Sequence, residues 1–226
     1  MKKITDRLFE MRDTAYRDFH ARLIPDIDKE CIIGVRTPQL RAYAREIAAS
    51  GDRDAFMAEL PHRYYEENNL HAWLAGTISR DIDEVLARID EFLPYVDNWA
   101  TCDMFPPKIF AKYPERVECK IREWIASEHT YTVRFAIVTL LGFYLDDRFR
   151  REHLDLVASV RRDEYYIYMA AAWYLSFALI KQYEAALPLL ESRTLDRRVQ
   201  NMAIRKAVES YRIDDVRKAY LKTLKM

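Results

Sequence analysis

Four glycines and eight prolines among 226 residues leave this chain few places to reverse direction sharply. A sheet of many hairpins needs turn residues at short, regular intervals, so an all-β fold is disfavoured. Helical periodicity fills the space instead. In KKITDRLFEMRDTAYRDFHARLI the apolar positions Ile4, Leu8, Met11, Ala15, Phe19 and Leu23 advance in steps of three and four, which predicts helix. GVRTPQLRAYAREIAASG offers Thr37 as an N-cap, Pro38 at the first helical position and Gly51 as a stop. NNLHAWLAGTISR and DIDEVLARIDEFL form a further pair, with Asp81 as the cap between them. A helix is expected to start at Pro114, and YTVRFAIVTLLGFYL is so uniformly apolar that it predicts a central buried helix. The whole chain reads as roughly a dozen helices with short connections.

No Gly/Ser linker, low-complexity run or sharp change of composition marks a boundary, so a single domain over residues 1–226 is expected. Half of the residues are hydrophobic, ample for a continuous core. The helices recur in pairs. PERVECKIREWIASEHTYTVRFAIVTLLGFYL and LDLVASVRRDEYYIYMAAAWYLSFALIKQY both place a capped, aromatic-rich turn before a second helix that is almost all apolar. Their length approaches the repeat of HEAT proteins, roughly 40 residues. The expected fold is therefore all-α: HEAT-like helical repeats stacked into a curved solenoid with one concave face.

Thirty-six basic and 36 acidic residues cancel, but unevenly. Residues 1–130 carry 19 Lys/Arg and 24 Asp/Glu, and residues 131–226 carry 17 and 12. The neutral total is compatible with ordinary scatter or with a basic surface in the second half. Cys31, Cys102 and Cys119 make an odd number with no CxxC pair, and the five histidines have no metal-binding spacing. A disulfide framework or zinc site is not expected, and a reducing cytoplasm fits. The basic start lacks an apolar signal segment, and no stretch approaches a membrane span. Walker, nucleophile-elbow and dinucleotide motifs are missing.

Four side chains stand out. In VDNWATCDMFPPKIF, with Asp97 read as the N-cap, Trp99 falls in the first turn and Asp103 one turn on, along the same face. Such a pair can face a cation together, or the ring can be core and the acid a surface partner. Arg134 lies at the mouth of the apolar helix, where a guanidinium needs either a core acid or a phosphate on an open face. Trp173, after Met169 and three alanines, is either core or a stacking platform. Arg193, Arg197, Arg198, Arg205 and Lys206 form either a phosphate-binding ridge or a solvated helix face. Glu66, Glu67 and His71 lie near a helix start, where the acids suit the helix dipole.

These residues, in order and spacing, resemble the DNA alkylation repair family, the AlkD-like DNA glycosylases built from HEAT-like repeats. The resemblance covers almost the whole chain. It rests on IIGVRTPQLRAYAREI, NNLHAWL, DNWATCD, TVRFAIV, MAAAWYLSFAL and RRVQNMAIRKAVESYRI. It implies a curved helical protein holding duplex DNA in a basic concave face and excising cationic N3- and N7-alkylated purines in base excision repair. The family's catalytic aspartate falls on Asp103, its paired aromatic on Trp99, its active-site arginine on Arg134 and its second tryptophan on Trp173. Duplex DNA with alkylated bases is the implied partner of a monomer, with no metal or organic cofactor. Two positions depart from the family pattern: Ala100 stands where a second acid is common, and Ser176 where a basic residue is common. The departures leave open a branch with a different lesion preference, or a catalytically weak scaffold that binds nucleic acid or protein.

Overall fold

The structure, a computed structural model, describes residues 2–77 and 79–226. Among these residues there are 14 α-helices, three short 3₁₀ turns and no strand. The α-helices are α1 (Lys2–Glu10), α2 (Thr14–His20), α3 (Thr37–Ala49), α4 (Arg53–Met57), α5 (Tyr65–Ala75), α6 (Ile82–Phe92) and α7 (Trp99–Asp103). They continue with α8 (Pro114–Ile125), α9 (Thr130–Phe143), α10 (Arg151–Ser159), α11 (Tyr165–Lys181), α12 (Tyr183–Glu191), α13 (Arg197–Glu209) and α14 (Asp215–Thr223). The chain divides into two compact units, Met1–Val117 and Glu118–Met226.

The first unit is organised around α5, against which α3, α4, α6 and α7 pack. Every residue of α5 except Trp73 is buried, including Glu66, Glu67, Asn68, Asn69 and His71. A helix this polar stays inside when most of its side chains are matched, and here Asn68 Oδ1 is left without a partner among the described residues. Both oxygens of Glu66 accept backbone amides: Ile33 N at 2.9 Å, Gly34 N at 2.7 Å and Val35 N at 3.2 Å. Burial pushes the Glu66 carboxyl upward, while these three amides favour the carboxylate. Glu67 accepts from Arg63 N, Tyr64 N and the Thr5 hydroxyl. The two acids thus do more than complement a dipole: they tie α5 to the loop before α3 and to α1.

The N-terminal periodic stretch is broken into α1 and α2 rather than running through. Asp13 causes the break. Its carboxylate accepts from Tyr16 N at 2.9 Å and caps α2, while its own N–H donates to Gly34 O at 2.9 Å. Gly34 has φ +97°, and a Cβ there would lie 2.5 Å from Asp13 O, so both its conformation and this close approach require glycine. Thr37 is the first helical residue of α3 and Arg36 stands at its N-cap, one residue earlier than the sequence suggests; the helix ends at Ala49, before Gly51. Asp81 caps α6 as expected, through Asp83 N. The expected extension of α5 to Arg80 stops at Ala75, and Ile78, which falls in that stretch, lies outside the described residues.

In the second unit α11 packs against α9, α10, α12 and α13. Ten consecutive residues of α9, Tyr131–Leu140, are buried, as its apolar run predicts. Ala170, Ala171 and Ala172 are buried in α11, where their small side chains allow close helix approach. No helix among the described residues is long and apolar enough to cross a membrane.

Candidate functional site

The short helix α7 carries two of the four singled-out residues. Five residues cannot hold a helix by propensity, because the first turn costs more than it returns. Tertiary anchoring does the work. The N-cap is Asn98, not Asp97: its side-chain oxygen accepts from Thr101 N at 2.8 Å. The Asn98 amide also donates to Thr101 Oγ1 at 3.0 Å, and that hydroxyl donates to Asn69 Oδ1 of α5 at 2.8 Å. Asn98, Thr101 and Asn69 are all essentially inaccessible. Asp97 is exposed and accepts from the Asn98 amide at 2.9 Å. Both residues are good caps, and the buried partner on α5 decides between them.

Trp99 is the first residue of α7 and keeps part of its surface open. Its ring lies against an apolar cluster of Ile24, Ile32 and Tyr65, and its indole N–H donates to Leu23 O at 2.9 Å. One edge of the indole is therefore fixed. Asp103 closes the helix one turn later and is also part-exposed. Ala100 packs on the same apolar cluster as Trp99, so an acid at this position would lie against Ile24, Ile32 and Tyr65.

Arg134 and Trp173 lie in the second unit. Arg134 sits in the second turn of α9, whose start is capped by His129 accepting from Thr132 N. Its side chain is 6 % exposed; it donates to Tyr166 O at 2.8 Å and its guanidinium stands 6.0 Å from the Tyr166 ring centre. Trp173 is part-exposed on α11, edge-on to Phe177 at 6.2 Å. Ser176 is 2 % exposed and its hydroxyl donates back to Trp173 O at 2.7 Å. That hydroxyl serves α11, and the position offers no surface for a phosphate.

The five basic residues divide by their partners. Arg198 donates to Asp163 at 2.7 Å and to Asp196, and its guanidinium stacks 5.1 Å over Tyr168. These two carboxylates hold its proton more firmly, and the Arg198 guanidinium in turn lowers the Asp196 carboxyl. Arg205 pairs with Glu209 at 3.1 Å. Arg197 donates to the Met226 carbonyl at 3.1 Å. Among the described residues, Arg193 and Lys206 meet no carboxylate. Arg193 is exposed with φ 52°, a left-handed conformation that usually falls to glycine at a helix end. The Met1–Val117 unit carries 17 Lys/Arg and 21 Asp/Glu, against 19 and 15 in Glu118–Met226.

The partners of the site were not legible from local spacing. Leu23 O, Asn69 and Tyr166 O lie 76, 32 and 32 residues from the side chains they hold. The only sequence signal was the polarity of NNL inside an otherwise buried helix. Among the described residues no group of three His, Cys, Asp or Glu side chains is placed to hold a metal ion.

No curated protein matches the chain. The model of the DNA alkylation repair enzyme family matches residues 4–211, and the chain belongs to that family.

Proposed function

We propose that this DNA alkylation repair enzyme is a glycosylase that excises cationic N3- and N7-alkylated purines from duplex DNA. In this reading its helices form a single HEAT-like solenoid, and a monomer holds the duplex in one concave face. The observation that carries the proposal is the state of α7. Trp99 is pinned at its N–H yet part-exposed, and Asp103 follows one turn later, also part-exposed. A ring fixed at one edge and a carboxylate one turn on, both partly open to solvent, are suited to a cation.

The chemistry follows from the charge of the substrate. An N3- or N7-alkylated purine is already positive. When its C1′–N bond breaks, the bonding pair returns to the base, which leaves neutral. No general acid is required, unlike ordinary glycoside cleavage. The sugar becomes oxocarbenium-like, and Asp103 stabilises that charge and orients the water that adds to C1′. The water's proton passes to the carboxylate or to solvent. Trp99 and Trp173 add cation–π attraction. The resemblance assigns Arg134 a phosphate beside the lesion, a contact for which it exchanges its bond to Tyr166 O. Arg193, Arg197 and Lys206 supply phosphate contacts, with Arg198 and Arg205 contributing where DNA displaces their carboxylates. Arg193 supports this assignment: an exposed arginine kept in a left-handed conformation is a strained position of the kind found at functional sites.

One observation favours the alternative, a catalytically weak scaffold. Arg198 and Arg205, two of the five basic residues, already have carboxylate partners. Matched duplexes bearing 7-methylguanine, 3-methyladenine or uracil separate the readings. The glycosylase releases the two methylated bases and leaves uracil, a neutral base with no acid to help it depart. A scaffold binds all three duplexes and releases nothing.

A further inference from the structure

The first unit carries a hollow of about 740 Å³ between α3, the C-terminal end of α5 and residues 104–109, which follow directly on Asp103. Small-molecule sites span roughly 300–1,000 Å³. Its floor is made of small side chains: Ala44 and Ala48 of α3, and Ala72 of α5 with Gly76 just beyond. The far bank is seated firmly, because a Cβ on Gly76 would lie 2.8 Å from Pro107 Cβ. Trp73, the one residue of α5 that is not buried, also lines the hollow.

Three cations ring this apolar floor. Arg41 and Arg45 stand one turn apart on α3, and Lys108 rises from the opposite bank. Arg41 places its guanidinium 5.4 Å from the Trp73 ring centre. Among the described residues none of the three has a carboxylate partner. Elsewhere in the same unit Arg36, Arg53, Arg88 and Arg116 each have one. Unpaired like charges around an apolar hollow repel one another, and an anion of matching size relieves that repulsion.

We infer that this hollow binds a small organic anion with a flat apolar body. The body lies on the alanine floor beside Trp73, and the negative group meets Arg41, Arg45 and Lys108. The guanidinium of Arg41 serves both halves, stacking with its plane and donating with its edge. A bare phosphate would leave the apolar floor uncovered, and a neutral aromatic would leave the three cations unmatched. The inference does not depend on base release.

The test uses 1-anilinonaphthalene-8-sulfonate and the full chain labelled at its indole nitrogens. The four tryptophans give four indole signals, three of them controls. The dye is expected to shift the Trp73 signal saturably, leaving Trp99, Trp124 and Trp173 in place. Its neutral relative N-phenyl-1-naphthylamine is expected to bind about tenfold more weakly, the loss of one or more charge-assisted contacts. Arg41→Gln/Arg45→Gln and Ala48→Glu, all at exposed positions on α3, are expected to weaken the dye by at least about tenfold while melting like the parent. An unmoved Trp73 signal, equal binding of the two dyes, or full affinity in both variants overturns the proposal. Displacement of the dye by undamaged duplex DNA also overturns it, by assigning the hollow to the DNA surface.

Discussion

Trp99 is held by a single directed bond, its indole N–H to Leu23 O, and by the apolar cluster beneath it. Trp99→Phe keeps an aromatic face and removes the bond. Base release is expected to fall about tenfold, since the ring then loses its fixed edge and the larger indole face. Single-turnover release from a 7-methylguanine duplex checks this, and unchanged release would make the Leu23 bond irrelevant to the reaction. His62 and His71 present a different residue-scale consequence. They face each other at 2.9 Å within the stack of Phe56 and Phe92, and burial lowers them to about 4 and about 3. Their unfolded value is near 6.5, so between these limits the unfolded chain binds more protons. Stability is therefore full above about pH 6.5 and falls as the pH drops toward 4, by on the order of 3 kcal/mol for each histidine. Urea midpoints at pH 7.5 and pH 5 measure this fall, and His62→Phe/His71→Phe is expected to flatten it. The i, i+4 spacing of Trp99 and Asp103 was readable from seven residues of sequence. The bond to Leu23 was not, because it joins residues 76 apart and involves a carbonyl that every residue possesses.

At the scale of elements, the apolar helices were the most legible part. α9 and α11 are both strongly hydrophobic; α9 buries ten consecutive residues, and α11 buries nine of its 17 while Tyr165 and Trp173 keep surface. Boundaries were less legible wherever tertiary partners choose them. Asp97 and Asn98 cap equally well in isolation, but only Asn98 meets Thr101 and, through it, Asn69. The break at Asp13 likewise depends on Gly34, 21 positions away in sequence. Asn98→Ala is expected to destabilise the protein by about 1–3 kcal/mol, the sum of a lost cap and a buried hydroxyl left short of a partner. Equilibrium urea unfolding measures it, and a loss near zero would contradict the account of how α7 is held. Arg193 ends α12 in a left-handed conformation. Arg193→Gly is expected to raise stability by about 1 kcal/mol by relieving that conformation, while weakening duplex affinity and flattening its dependence on salt.

For the whole molecule, the all-helical class follows from the scarcity of turn formers and the three- and four-residue periodicity. The proposed repeat rests on a pairing of amphipathic and apolar helices in the sequence, where identity between the pairs is low. The charge split between halves persists in the two compact units, where the second has the basic excess a duplex binder uses. The central claim is that Asp103 meets a developing positive charge at C1′. It is tested most directly by comparing the parent with Asp103→Asn on one methylated duplex, scoring released 7-methylguanine and duplex affinity in parallel. An amide of the same shape cannot supply the charge, so release is expected to fall about a hundredfold or more while affinity is retained. Equal release by the two proteins would contradict the account and remove Asp103 from the mechanism.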